Sequence, residues 1–112
     1  MKVSMEEIGA LYVSFMASGC ADGAPCAPCT NGYVEECEEG EAFFGIVHHT
    51  DPSGCAVQVA GFVTVPYSGT APQPGYATLA ADGAGGVEMS AGGQGRWVVA
   101  VDTAAQTVTF KL

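Results

Sequence analysis

The punctuation of this chain limits its fold more than any other feature. Turn-forming stretches recur at intervals of roughly 8–12 residues: Asn31-Gly32, Asp-Pro-Ser-Gly at 51–54, the Pro-rich run at 69–75, Asp82-Gly83 and Gly85-Gly86. Between them lie short runs rich in Val, Thr, Phe and Tyr, the residues that fit a pleated, half-buried surface. A helix needs a longer uninterrupted pattern, and Pro72 and Pro74 forbid one across their loop.

The runs alternate with period two. Over residues 8–17, Leu11, Val13 and Phe15 share one face and Tyr12, Ser14 and Met16 the other. A helix starting after Ser4 with Glu6 and Glu7 is the rival, and Gly9 with the β-branched content favours a strand. Val57, Val59, Val63 and Val65 share a parity with Gly61, which reads as one half-buried strand bent at the glycine. At the C-terminus Trp97, Val99 and Val101 alternate, a turn falls near 103–105, and Val108, Phe110 and Leu112 alternate again. The expectation is an all-β single domain over residues 1–112, a small barrel or sandwich of about seven to nine short, mostly antiparallel strands. Residues 1–7 form an N-terminal arm. No internal boundary and no long repeat is visible in the sequence.

Charge narrows the partners. The formal net charge is −9, and Lys2, Arg96 and Lys111 are the only basic side chains. Nucleic-acid binding draws on clustered Lys and Arg, and anionic membranes repel such a surface, so neither partner is expected. Only 13% of the residues are charged, about half the usual share, which leaves small and apolar side chains to cover much of the surface. No apolar run has the length of a membrane span. Glu35, Glu36, Glu38, Glu39 and Glu41 read as a solvated acidic turn, because a calcium loop would space its carboxylates differently.

Five cysteines, Cys20, Cys26, Cys29, Cys37 and Cys55, are an odd number and suit reduced, buried thiols. Zinc would need four ligands in two close pairs, and one Cys-x-x-Cys is present. The alternative function is a zinc or redox module using Cys26, Cys29, Cys37 and Cys55. A thioredoxin-like site would also need a helix after Cys29, where Asn31-Gly32 stands instead. With Asn31-Gly32 as a two-residue turn, Cys26 falls directly opposite Cys37, a cross-strand thiol pair, while Cys26 and Cys29 point to opposite faces. Adjacent His48 and His49 also point apart, which suits neither a shared metal nor a catalytic pair. Asp22, Asp51, Asp82 and Asp102 sit at turns, where Asp is ordinary local chemistry. No phosphate loop, nucleophile elbow or catalytic constellation is present, so no enzyme activity, cofactor or catalytic residue is expected. A further alternative is a secreted or lipid-anchored protein through Cys20, at the end of the apolar segment 8–20. Glu6 and Glu7 stand where a signal peptide carries positive charge, so secretion by a signal peptide is not expected.

The stretches "GFVTVPYSG" (61–69), "LAADGAGGV" (79–87) and the terminal "VVAVDT…TVTF" (98–110) carry a resemblance. From about residue 8 onward the chain resembles small proteins of Firmicutes bacteriophages and prophages that are encoded near the head genes. These are regarded as capsid-associated or head-decoration proteins. The resemblance implies a non-enzymatic virion structural protein. It would sit in the host cytoplasm during assembly and then in the virion, and bind the capsid or another virion protein. No catalytic residues come with it, and Cys26, Cys29 and Cys37 are not a fixed motif of the group. Near-continuous β-structure with exposed edges adds an expectation of self-association, such as a trimer around a lattice axis.

Overall fold

The computed structural model describes residues 9–112, so the expected arm at 1–7 lies outside the described residues. Ten strands follow in order: β1 (Leu11–Ser18), β2 (Pro25–Pro28), β3 (Tyr33–Glu36), β4 (Gly45–Asp51), β5 (Gly54–Ala60), β6 (Phe62–Ser68), β7 (Gly75–Ala81), β8 (Val87–Met89), β9 (Gln94–Asp102) and β10 (Thr107–Lys111). The fold is all-β, as the alternation and turn spacing imply. Eight strand pairings are antiparallel, and only β1–β3 and β6–β8 are parallel.

The strands close into two barrels, β1-β3-β2-β4-β5 and β10-β6-β8-β7-β9. Counted from the first strand of each, both barrels run first, third, second, fourth, fifth and back to the first. The second barrel therefore repeats the first, strand for strand and sense for sense. The parallel register sets Ala17 beside Val34 in barrel 1 and Tyr67 beside Val87 in barrel 2. Val34 and Val87 are both fully buried, and each is followed by a glutamate. Each fourth strand carries a one-residue bulge, at His48 in β4 and at Val99 in β9. The sequence repeat is confined to such short matches, Ser-Gly at 18–19 and 68–69 and Val-Glu at 34–35 and 87–88. That is too little to register as periodicity.

Three expectations change. The Val57–Val65 run is two strands, because Gly61 takes φ +89° and hands the chain from β5 in one barrel to β6 in the other. The bulge at Val99 breaks the alternation of β9, so Val98 is buried and Trp97 points outward. Ring closure also removes the long open edges on which self-association was expected to rest.

Each barrel has its own core. Barrel 1 is centred on Cys26, Val34, Val47, Cys55 and Val57. Barrel 2 gathers Val63, Val65, Tyr67, Leu79, Val87, Val98, Val108 and Phe110, and it also takes in Phe43 and Ile46 from the first half of the chain. Phe43 meets Phe110 edge to face, with ring centroids 5.9 Å apart. Its amide donates to the Gln94 side-chain oxygen at 3.0 Å, and the Arg96 guanidinium lies 5.0 Å from its ring centroid. The acidic turn is stitched to β7 by Gly40 N–H to the Ala81 carbonyl at 2.8 Å and Ala81 N–H to the Glu41 carbonyl at 3.0 Å. At the link itself, buried Gln58 donates through Nε2 to the carbonyls of Ala60 and Phe62 at 3.0 and 3.1 Å. The barrels are thus joined by a packed seam as well as by a peptide link.

Candidate functional site

The cysteines come first, since the sequence singled them out. The β2–β3 hairpin turns through three residues, Thr30, Asn31 and Gly32. Tyr33 N–H donates to the Thr30 carbonyl at 2.9 Å, and Cys29 N–H to the Tyr33 carbonyl at 3.0 Å. Gly32 takes φ +81° at the second central position of the Thr30–Tyr33 turn, the left-handed conformation a type II turn requires there. The register is therefore one residue off the two-residue expectation: Cys26 faces Glu36, and the direct pairing with Cys37 is not made. Cys26 is fully buried and Cys29 exposed, as opposite faces require. Cys37 packs instead against the barrel 2 core, and its thiol donates to the Ala42 carbonyl at 3.5 Å.

Cys26, Cys29, Cys37 and Cys55 are free thiols. Burial, helped by the neighbouring thiols of Cys20, Cys37 and Cys55, pushes the Cys26 thiol up to about 12. Burial and then the Glu41 and Glu35 carboxylates push Cys37 up to about 11, and burial raises Cys55 as well. A thiol is nucleophilic or metal-binding as its thiolate, so these shifts favour the inert form. Among the described residues no group of three or more His, Cys, Asp or Glu side chains is gathered to hold a metal ion. The Cys26, Cys29, Cys37 and Cys55 set is not brought together as a zinc site. Cys20 packs against the barrel 1 core with its thiol 3.5 Å from the Val34 carbonyl. Cleavage before it would remove β1, a wall of that barrel.

The polar turn residues have structural partners. Asp82 accepts from the Ser68 hydroxyl at 2.6 Å and from the Ala84 and Gly86 amides at 2.7 and 2.9 Å. Partial burial alone would raise its pKa, but these donors outweigh it and lower the value. Asp51 and Asp102 cap the turns of their hairpins in the same way, and Asp22 accepts from Thr50 at 2.7 Å. His48, at the β4 bulge, meets the Tyr12 ring at a tilt of 51° with centroids 4.7 Å apart, and His49 lies 4.0 Å from Asp51. Tyr12 and His48 line one shallow pocket, and His49, Asp51, Ser53 and Cys55 line another, in which the Ser53 hydroxyl donates to Asp51.

The feature that sequence reasoning missed is on the outside of barrel 2. Tyr76 on β7 and Trp97 on β9 are direct cross-strand partners. Their rings meet at 67° with centroids 5.3 Å apart, forming a corner. They are 65% and 59% exposed, which is far from the burial such large rings normally achieve. Tyr76 lies across Gly95, where a Cβ would collide with its hydroxyl and ring, so the ring's place depends on that glycine. A groove of about 550 Å³ runs alongside, walled by the Pro-rich loop (Thr70, Gln73, Pro74) and by Tyr76, Thr78 and Met89. No residue lining it is charged. Ala71 and Pro72 anchor the loop in the barrel, which leaves Gln73 and Pro74 standing out as a knob. The bulge at Val99 is the signal that could have exposed Trp97, and a bulge leaves no mark in the hydrophobic pattern.

A second apolar area, Leu11, Tyr12 and Val13 on β1, is also exposed. The chain matches no family model, no curated protein and no solved structure.

Proposed function

We propose that this protein is a non-enzymatic phage or prophage structural protein that associates with the capsid or another virion component, as a small decoration protein does. The observation that carries the reading is a large aromatic corner held in the open on a closed barrel, with exposed Lys111 as the neighbour of Trp97 on β10, in a chain of net charge −9. Exposed aromatic residues of this size are typical of binding hot spots. The barrel beneath is braced by the Phe43 seam, so little flexibility would be lost on docking. The likeness of "GFVTVPYSG" and the terminal hairpin to phage head-region proteins supports the same class. In this reading the chain works in the host cytoplasm during assembly and afterwards on the virion, with no cofactor.

The test is co-sedimentation with purified capsids of the phage that encodes the chain. Stoichiometric binding, weakened at least about tenfold by Trp97→Ala, is expected. Absence from virions together with no binding to the major capsid protein sinks the reading.

A further inference from the structure

We infer that the cleft between the two barrels binds one neutral sugar ring, held by the side-chain oxygen of Gln58 against a wall formed by Tyr12 and His48.

The strand register builds the site. Tyr12 on β1 and Ile46 on β4 are the cross-strand partners of Gln58 on β5, so the three side chains form one row. That row lies on the outer face of barrel 1, because the neighbouring Val47 and Val57 fill the barrel core. The β4 bulge brings His48 beside the row, tilted 51° to the Tyr12 ring. Phe62 and Thr64 of β6 close the cleft from the side of barrel 2. Its volume is about 230 Å³, and it shares no residue with the groove beside Tyr76.

Gln58 carries the inference. It is 7% exposed, so more than nine-tenths of it is buried. Both Nε2 hydrogens are spent on the carbonyls of Ala60 and Phe62, which fixes the amide and the direction of its oxygen. Among the described residues no group donates to Oε1. The oxygen is not sealed in either, since the buried side-chain atom without a partner is Nε of Arg96. A fixed, unpaired acceptor reached through the cleft that Gln58 lines selects a ligand that donates a hydrogen bond.

The remaining walls narrow the ligand. Among the described residues no carboxylate, Lys or Arg lines the cleft, so a charged ligand would be desolvated without a counter-charge. The net charge of −9 further disfavours anions. The volume is below the roughly 300–1,000 Å³ that takes drug-sized molecules, which leaves room for a single ring. Tyr12 and His48 meet as a corner, not as the parallel slot in which a flat base would stack. A puckered sugar ring fits these walls. Its C–H face packs on the Tyr12 and Phe62 rings, and its edge hydroxyls meet Gln58 Oε1, the His48 imidazole and the Thr64 hydroxyl, which Thr109 orients at 2.7 Å. One ring of this size gives an expected dissociation constant on the order of 1–10 mM.

The experiment follows the side-chain NMR signals of Gln58, Tyr12 and His48 in the full chain. Titrants are D-glucose, D-galactose and N-acetyl-D-glucosamine, each to about 50 mM. Saturable shifts at all three side chains are expected with at least one sugar. Tyr12→Ala and Thr64→Val should each weaken binding at least about fivefold with circular dichroism and melting kept, because both side chains lie outside the barrel cores. Gln58→Met removes the acceptor together with the two bonds at the barrel link, so Tyr12 and Thr64 carry the test if that variant unfolds. A linear trisaccharide of the binding sugar separates the sources. Binding at least about tenfold tighter than the free sugar assigns the ring to a glycan chain, equal binding assigns it to a free sugar, and either supports the site. The absence of saturable shifts with all three sugars overturns the inference. So do shifts centred on Trp97, affinity unchanged in both Tyr12→Ala and Thr64→Val, or affinity kept by a folded Gln58→Met. Saturable binding of adenine or methylammonium without any sugar binding also overturns it, by giving the cleft to a flat base or a cation. The test needs no capsid, so it stands or falls separately from the virion role.

Discussion

Cys26 is fully buried among Val34, Val47 and Val57, and its thiol is pushed from the ordinary 9.0 to about 12. The sign of the consequence follows from linkage. Below pH 9 the thiol is neutral in both folded and unfolded chains, and its contribution to stability is fully present. As pH rises from there towards 12, the unfolded chain ionises and the folded one does not, so stability is lost. Cys37, raised to about 11, acts in the same direction. In reductant, the melting temperature should fall between pH 7.5 and 10.5, and Cys26→Ala should flatten that fall. Equal slopes for the two proteins would show that Cys26 is solvated. Asp82 works on the acid side. Its depressed folded pKa gives stability that is present above the ordinary carboxylate value of 3.8 and lost as pH falls through the folded value. Asp82→Ala removes acceptors for Ser68, Ala84 and Gly86 and should cost about 1–3 kcal/mol in urea denaturation.

At the scale of elements, the β2–β3 hairpin shows where sequence reasoning stops. Both Cys26 and Val34 are fully buried. With a two-residue turn at Asn31-Gly32, Val34 would share a face with Cys29, and Cys26 would lie on the opposite face. One of the two would then be driven out of the core. Adding one residue to the turn puts both inside, since a single-residue slip reverses every side chain of a strand. Asn-Gly marks the turn in either case, so the dipeptide located the hairpin but could not choose its length. The preference for strands over helices, the Asp51–Gly54 hairpin, the β7–β8 pair and the terminal hairpin were legible because alternation and turn residues are local. The break at Gly61, the bulges at His48 and Val99 and the exposed Tyr76–Trp97 corner were not, because each depends on which barrel a residue faces. The turn itself gives a direct check. Gly32 holds φ +81°, a conformation costly for a residue with a Cβ, and Met16 is close enough to touch an added methyl. Gly32→Ala should destabilise the chain by about 1 kcal/mol, read as a lower urea midpoint with an unchanged slope. A change in slope would mean that the register had moved.

At the scale of the molecule, the two barrels repeat one topology but do not share residues evenly. Barrel 1 donates Phe43 and Ile46 to the core of barrel 2, while the barrel 1 core is built from residues 15–59 alone. Barrel 2 is therefore incomplete without the first half of the chain, and the seam through Phe43, Gln94 and Arg96 should make the halves unfold together. Two native groups report on each barrel separately: the buried Cys26 thiol, which reacts with a labelling reagent only when barrel 1 opens, and Trp97, whose emission follows barrel 2. In wild type the two should give the same urea midpoint. Phe43→Ala empties a fully buried site of barrel 2 and should cost about 3–5 kcal/mol. If the seam couples the barrels, Cys26 becomes reactive at the same lowered urea concentration, although no atom of its own core has been changed. A Cys26 midpoint that stays at the wild-type value while the Trp97 midpoint falls would mean that the repeated barrels are independent folding units, and that Phe43 is a plug in barrel 2 rather than a bond between the two.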